Sequence, residues 1–485
     1  MDLAQWFEPL LYVLSPGELL NLIFIPSVIN KRKPAVTAIA WIMALLAMPY
    51  VGAALYFTIG DNRMKRRVKK RIKAAVQIEP ALEGVSHVAA SRRLLDDDEL
   101  RQLPAITSAL ARLALSMRNA PQTTHNHVEL LETGAEKFDV LLKAITGAQH
   151  HVHLEYYTFE PDETGRHVCE ALIDCARRGV EVRVLWDAVG SFTAYGGFFD
   201  ELEAAGGKVT SFMPARLTYR RLEINFRNHR KIAIIDGRLG LTGGMNIGNE
   251  YRGYQTEPWR DLHMAIEGPA VHDLQEIFAE DWYFACKESL GSAIYFPRPR
   301  MAGDEIVQIV PSGPDLEWPA IHQIIFSAIT LAKERVFLMT PYFVPTESLL
   351  TALKTAAQRG VDVRLLLPRH SDVALVFWAG RSYYEELLQA GVRIFKYTGS
   401  MLHAKAMSVD GHFATIGSAN LDERSFYLNF EINAMLYSTR LAHHVEGLIR
   451  ADMDPDNEVL LERFKQRPYR ARLAENACRL LSPLL

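Results

Sequence analysis

The sequence predicts an α/β protein of two similar halves, each a mixed β-sheet flanked by helices, facing one another about a pseudo-two-fold axis behind an N-terminal transmembrane helical hairpin. Three observations predict it. A chemical motif occurs twice, a helix-glycine-strand segment occurs twice, and an uncharged N-terminal stretch has cations on both sides.

The N-terminal hairpin is expected over residues 1–60. Residues 34–60 carry no charge. As one helix they would span about 40 Å against a bilayer core of roughly 30 Å, with Pro49 as a place to kink. Residues 9–30 are apolar but interrupted by Pro16, Gly17, Glu18 and Pro26, and a charge at membrane depth costs a few kcal/mol. They form the weaker second span. No small-residue cleavage site follows, so a removable signal peptide is not expected. Lys31, Arg32 and Lys33 separate the two stretches, whereas Arg63, Lys65, Arg66, Arg67, Lys69, Lys70, Arg71 and Lys73 follow the second. The heavier positive charge assigns the long C-terminal part to the cytoplasmic side, and the same cluster suits an anionic lipid surface.

Residues 61–122 mix that basic run with helical material and an acidic patch at Asp96, Asp97, Asp98 and Glu99, and are expected to be a juxtamembrane linker. At 485 residues, with 49% hydrophobic residues, the chain exceeds one ordinary core, and residues 123–305 and 306–485 are the two halves. Residues 176–185 (ARRGVEVRVL) are echoed by residues 357–366 (AQRGVDVRLL). A glycine after helical material and before an apolar alternation reads as helix, C-cap, strand. Another strand is expected upstream of each, over residues 151–159 and 335–344, which makes α/β halves with mixed sheets. The tail, residues 472–485, is expected to pack on the second half rather than graze a membrane. A net charge of −3 says little about partners. Cys169, Cys175, Cys286 and Cys478 have no paired spacing, which fits free thiols in a reducing compartment.

The repeated motif is His-x-Lys-x4-Asp-x6-Gly-x-x-Asn, at His229, Lys231, Asp236, Gly243 and Asn246 and again at His403, Lys405, Asp410, Gly417 and Asn420. Two matches in register, each joining a nucleophilic imidazole to a fixed cation, point to a two-histidine site for phosphate chemistry. Asp236-Gly237 and Asp410-Gly411 between apolar runs signal hairpins. Residues two apart share a strand face, so each His lies beside its Lys. With turns centred on Asp-Gly, Gly244 would face His229 and Ser418 would face His403, with Asn246 and Asn420 following on that face. The catalytic candidates are therefore His229, Lys231, Asp236, His403, Lys405 and Asp410, the two Asp being better suited to fixing the turn or pairing with a cation than to touching substrate. Arg216, Arg220, Arg221, Arg227 and Arg230 lead into the first hairpin and suit an anionic head group, with a solvated loop or nucleic-acid contacts as the alternatives. His150, His151 and His153 alternate into a strand without carboxylate or cysteine spacing, so no metal site is expected there. His263 is expected to be a packing residue.

These motifs, with residues 225–231 (NFRNHRK), residues 417–426 (GSANLDERSF) and the hydrophobic pair followed by a basic stretch, make the chain resemble the phospholipase D superfamily, and within it the bacterial cardiolipin synthases. The resemblance covers nearly the whole chain. It implies two phospholipase-D-like halves and double displacement at phosphorus through a phosphohistidine, with His229 as nucleophile and His403 as acid and base. Lys231, Lys405, Asn246 and Asn420 would hold the non-bridging oxygens, and Ser418 would act in the second half only, because Gly244 stands at the matching place in the first. Glu431 matches the family's carboxylate that orients an imidazole, and Asp261 is its expected counterpart. The implied reaction joins two phosphatidylglycerol molecules into cardiolipin and glycerol; the alternative is hydrolysis to phosphatidic acid. The implied setting is the bacterial inner membrane, multi-pass, among membrane phospholipids, with no cofactor, metal or nucleic acid; homo-oligomerisation is left open.

Overall fold

The computed structural model describes residues 16–30, 35–56, 95, 97–118, 120–213, 226–254, 257–316 and 318–482. In the N-terminal unit, helices Pro16–Asn30, Ala35–Ala47 and Pro49–Leu55 pack together around Val28, Leu45, Ala53 and Tyr56. Phe24 and Trp41 meet the Tyr56 ring edge-on, with centroids at 5.8 and 5.3 Å. The stretch expected over 34–60 breaks where a kink is expected, before Pro49: Met48 has a φ of −141° and a ψ of 73°, which are not helical. The cause is Pro49: its ring crowds the preceding residue out of the α region and itself starts a new helix. Among the described residues no helix is long and apolar enough to cross a membrane. The clusters at residues 31–33 and 61–73 lie outside the described residues.

The large body is organised by one 14-stranded mixed sheet. Its first-half strands are β1 Gln122–Leu131, β2 His151–Tyr156, β3 Glu181–Asp187, β4 Lys208–Phe212, β5 Ile232–Ile235, β6 Leu239–Gly243 and β7 His263–Glu267. The second half supplies β8 Glu305–Ser312, β9 Arg335–Met339, β11 Asp362–Pro368, β12 Arg393–Tyr397, β13 Ala406–Val409, β14 Phe413–Gly417 and β16 Glu431–Leu436, while β10 Phe343–Val344 and β15 Leu421–Asp422 form a separate parallel pair. The order across the sheet is β12-β11-β9-β13-β14-β16-β8-β1-β7-β6-β5-β2-β3-β4. Read from either edge, it gives three parallel strands, the motif hairpin, the strand that carries Asp261's or Glu431's segment, and a central strand. The two central strands, β1 and β8, pair antiparallel.

The echoed segments fold as the glycine pattern dictates. Helix Glu163–Arg177 ends before Gly179 (φ +86°) and runs into β3; helix Glu347–Gln358 ends before Gly360 (φ +92°) and runs into β11. Neither glycine would tolerate a side chain without strain. The expected helical linker is corrected only where it is described, at residues 97–118. Helices Asp97–Gln102 and Ala105–Arg118 bury Leu100, Ile106, Leu110, Ala111 and Ala114 in the second half's core, beside helix Ala320–Leu331. The apolar stripe of the second of these helices, at three- and four-residue spacing, is what a packed helix needs. The tail also packs on the body: helix Tyr469–Arg479 places the buried Glu475 against Arg381 Nε at 2.9 Å and Arg467 Nε at 2.7 Å.

Candidate active site

Both hairpins turn through Asp-Gly with positive φ at each residue, 55° and 62° at Asp236 and Gly237, 53° and 67° at Asp410 and Gly411. Their register differs from the expected one by a residue. Ile235 pairs with Leu239 and Val409 with Phe413, so each loop contains a third residue, Arg238 or His412. Gly244 and Ser418 therefore do not reach the site by facing the histidines across the hairpin. Their amides bond instead to the neighbouring segments, Gly244 N to Leu262 O and Ser418 N to Ile432 O, both at 2.9 Å.

The turn carboxylates are buttresses. Asp236 accepts from the amides of Gln149, His150 and His151 at 2.7–3.2 Å, and Asp410 from those of Lys333, Glu334 and Arg335 at 2.8–2.9 Å. They sit at the opposite ends of β5 and β13 from the histidines, and a strand rises about 3.3 Å per residue. Their inclusion among the catalytic candidates is thus corrected by where the turn lies.

The histidines are joined to carboxylates of the opposite half. His229 N bonds to Phe430 O at 2.9 Å, and His403 N bonds to Arg260 O at 2.7 Å. Each link sets a histidine beside the residue that follows its backbone partner. His229 Nδ1 lies 3.0 and 2.9 Å from the two oxygens of Glu431; His403 Nδ1 lies 2.7 Å from Asp261 Oδ2. A carboxylate facing Nδ1 holds the hydrogen there and leaves Nε2 as the nitrogen with a free lone pair. Glu431 also accepts from Ser418 Oγ and from Asn429 Nδ2 at 3.2 Å. Asp261 accepts from Leu262 N at 2.7 Å, and Tyr251 OH stands 3.3 Å from His403 Nδ1.

Lys231 Nζ donates to His229 O at 2.7 Å, and Lys405 Nζ donates to His403 O while lying 3.9 Å from Asp261 Oδ2. Lys405 also approaches His403 Nδ1 at 2.8 Å, a packing contact, because that nitrogen's hydrogen faces the carboxylate. Burial pushes both imidazoles down to about 4, with Lys405 adding to the effect at His403 and Glu431 opposing it at His229. Burial likewise lowers Lys231 to about 7 and Lys405 to about 8, against the pull of Glu431 and Asp261. Glu431 is held below the usual carboxylate range, because His229 and Lys231 outweigh its own burial. At neutral pH the site holds two neutral imidazoles, with lysines poised to charge fully when an anion arrives.

Asn246 is engaged, giving Nδ2 to Tyr251 OH at 3.1 Å and accepting from Thr158 N at 3.3 Å; Asn420 is buried, and its backbone N–H donates to Ser425 Oγ at 3.2 Å. Of the arginines read as head-group contacts, Arg230 is instead buried against Asp281, and Arg227 is buried with NH1 3.8 Å from Asp187. Arg216, Arg220 and Arg221 lie outside the described residues. His151, His153 and His263 are buried in strands; His153 stacks on Phe278 and bonds Gln275 at 3.0 Å. Among the described residues no cluster of metal-ligating side chains occurs. Sequence reasoning missed Tyr157, edge-on to His229 at 4.9 Å, and Tyr251 and Trp259 around His403. No spacing rule picks out a lone aromatic that reaches a site through tertiary contact.

Fold and site define a phosphodiester enzyme with paired histidines, and comparison with known proteins narrows the class. A family model described as "Cardiolipin synthase, PLD-like domain" matches residues 141–282 and 325–453, and one described as "Phospholipase_D-nuclease N-terminal" matches residues 19–60. A cardiolipin synthase of Geobacillus kaustophilus is 42% identical over 99% of this chain and 95% of its own. The major cardiolipin synthase of Bacillus subtilis is 37% identical over 96% of this chain and 99% of its own. The crystal structure of phosphatidylserine synthase from Haemophilus influenzae superimposes with a TM-score of 0.60 at 15% identity, over 78% of this chain and all of that one. That likeness shows the fold. The chain belongs to the cardiolipin synthase family of phospholipase-D-like enzymes, and it is a phosphatidyltransferase.

Proposed function

We propose that the enzyme moves a phosphatidyl group from one phosphatidylglycerol to the glycerol hydroxyl of a second, giving cardiolipin and glycerol, in a pseudo-two-fold core where each half supplies one histidine. The observation that carries this reading is the exchanged pairing of His229 with Glu431 and of His403 with Asp261. In the first step Nε2 of neutral His229 attacks phosphorus, the bond to the leaving glycerol oxygen breaks, and His403, protonated at Nε2, gives that oxygen its proton. The bound phosphodiester anion raises the pKa of His403 enough to supply it. In the second step His403 takes the proton of the incoming alcohol, whose oxygen attacks phosphorus and frees His229. Lys231 and Lys405, with Asn246 and Asn420, stabilise the charge that grows on the non-bridging oxygens. His229 suits the nucleophile because Glu431 grips its Nδ1 with both oxygens, whereas His403 shares its Nδ1 surroundings with Tyr251 and Lys405.

The uncharged stretch of residues 34–60 and the heavier run of cations after it support a multi-pass anchor in a bacterial cytoplasmic membrane with the catalytic body on the cytoplasmic side. The test is product analysis by mass spectrometry after incubating purified enzyme with phosphatidylglycerol vesicles in excess chelator, beside His229→Ala. Cardiolipin and glycerol absent from the variant support the reading; phosphatidic acid alone overturns it in favour of hydrolysis.

A further inference from the structure

The segment carrying His229 rests on a buried polar cluster that, among the described residues, has no counterpart at the segment carrying His403. Asn228 Nδ2 donates to Glu155 Oε1 at 2.5 Å, and Asn228 N donates to Asp187 Oδ2 at 2.9 Å. On the other side of the histidine, Arg230 N donates to Asn228 Oδ1 at 3.1 Å, Arg230 NH1 pairs with Asp281, and Arg230 Nε donates to the backbone carbonyl of Glu431 at 3.1 Å. Glu155, Asn228, Arg230 and Asp281 are all buried. In the second half, Leu402 and Ala404 flank His403. Strand pairing sets Met339 where Glu155 stands, because Glu155 pairs with Ile232 and Met339 with Ala406, each three residues beyond its histidine. The same backbone framework thus holds one histidine on apolar packing and the other on charge.

Burying an arginine with two carboxylates is costly, and apolar residues of similar volume serve stability as well or better. The second half shows that this fold accepts the apolar solution. Burial and the neighbouring Asp281 both raise Glu155 well above the usual carboxylate range. Arg230 spans from this cluster to the residue that grips His229. We infer that Arg230, anchored by Asp281 with Asn228 and Glu155, is a positioning residue for the reaction: it fixes the Glu431 backbone against His229 across the junction of the halves and holds that imidazole to the geometry of attack.

The inference rests on His229 acting at phosphorus, as proposed above. Two variants test it. Arg230→Lys keeps a cation for Asp281 but has no Nε–H for the Glu431 carbonyl; Arg230→Met with Asp281→Leu removes both charges together, so that neither is left buried and unpaired. In both, kcat per folded molecule is expected to fall about tenfold or more with KM changed by less than about twofold, as when a supporting group behind a functional side chain is lost. The acidic limb of kcat/KM should move to lower pH, because Glu431, loosened, raises the His229 pKa less. A kcat that stays within about twofold of wild type, or that falls only in step with the folded fraction while the acidic limb stays in place, overturns the inference. Rates are compared with wild type on whichever product wild type forms. Hydrolysis in place of transfer would end the reading of function and leave this comparison intact.

Discussion

The two halves place a carboxylate behind an imidazole by different means. In the second half the acid is long, and a hydroxyl steadies it: Glu431 takes the Ser418 Oγ–H. In the first the acid is short and the chain makes room for it. A Cβ on Gly244 would lie 2.1 Å from Asp261 Oδ1, so glycine here permits close approach of the carboxylate rather than leaving a serine role unfilled. The departure from symmetry in the motif, Gly244 against Ser418, is therefore one member of a matched pair whose other member is Asp261 against Glu431. Duplicated elements diverge in coupled sets when they must deliver the same atom to the same place.

The sharpest way to break this comparison is to remove the histidines separately. His229→Ala and His403→Ala should each lower transfer by about 10³-fold or more. They should differ on a substrate with an activated leaving group, such as a nitrophenyl phosphodiester, which needs no acid to depart. His403→Ala should then still release nitrophenol and accumulate phosphoenzyme, while His229→Ala should do neither. The reverse pattern would exchange the two roles.

The carboxylates come next. Glu431→Gln should cost about 10²- to 10⁴-fold in kcat, since an amide no longer fixes the tautomer. Asp261→Asn should cost less, because Tyr251 OH also stands at His403 Nδ1, at 3.3 Å. Gly244→Ser should be nearly inactive, its Cβ displacing Asp261, whereas Ser418→Gly, which removes one hydrogen bond to Glu431, should lose about tenfold, the equivalent of ~1.4 kcal/mol. Steady-state rates on folded protein decide each case, and equal losses at Gly244 and Ser418 would sink the matched-pair account.

Titration separates the halves more gently. Both lysines have pKa values lowered by burial, Lys231 to about 7 and Lys405 to about 8. Each is charged below its pKa, so in free enzyme the ammonium charge is lost as pH rises through that range, Lys231 first. The kcat/KM profile should fall above pH 7 to 8, and the alkaline limb of kcat should lie higher because bound phosphodiester restores the charge. Lys231→Arg, always charged, should move the lower part of that limb upward.

How far the sequence discloses this arrangement follows from the range of the interactions. The Asp-Gly turns, the glycine-capped helices before β3 and β11, and the twice-written His and Lys are set by neighbours a few residues apart, and periodicity exposes them. The exchange of carboxylates is not local. His229 and Glu431 are 202 residues apart, His403 and Asp261 142, and a strand pattern does not say which partner it will meet. The same limit hid Arg230, which reads as a head-group contact until Asp281, 51 residues on, is folded against it. Helix Ala105–Arg118 followed a basic run and so read as linker, although its own apolar stripe belongs to the core.

The smallest effect on activity is expected where the halves are most alike. Asp236 and Asp410 each gather three consecutive amides at the start of the strand that neighbours the hairpin, β2 in one half and β9 in the other. Replacement by Ala removes these charge-assisted bonds and places a residue with a Cβ but no local hydrogen bond at positive φ, at a cost of about 2–4 kcal/mol of stability. Asn, which tolerates that conformation and keeps an acceptor oxygen, should recover much of the loss. In neither half should kcat per folded molecule change by more than about twofold, because the turn stands a full strand away from the imidazoles. Denaturant titration with activity measured on the folded fraction checks both numbers. A large fall in kcat at unchanged stability would return these carboxylates to the catalytic set, and a fall in one half alone would show that the buttresses, like the acids, have diverged.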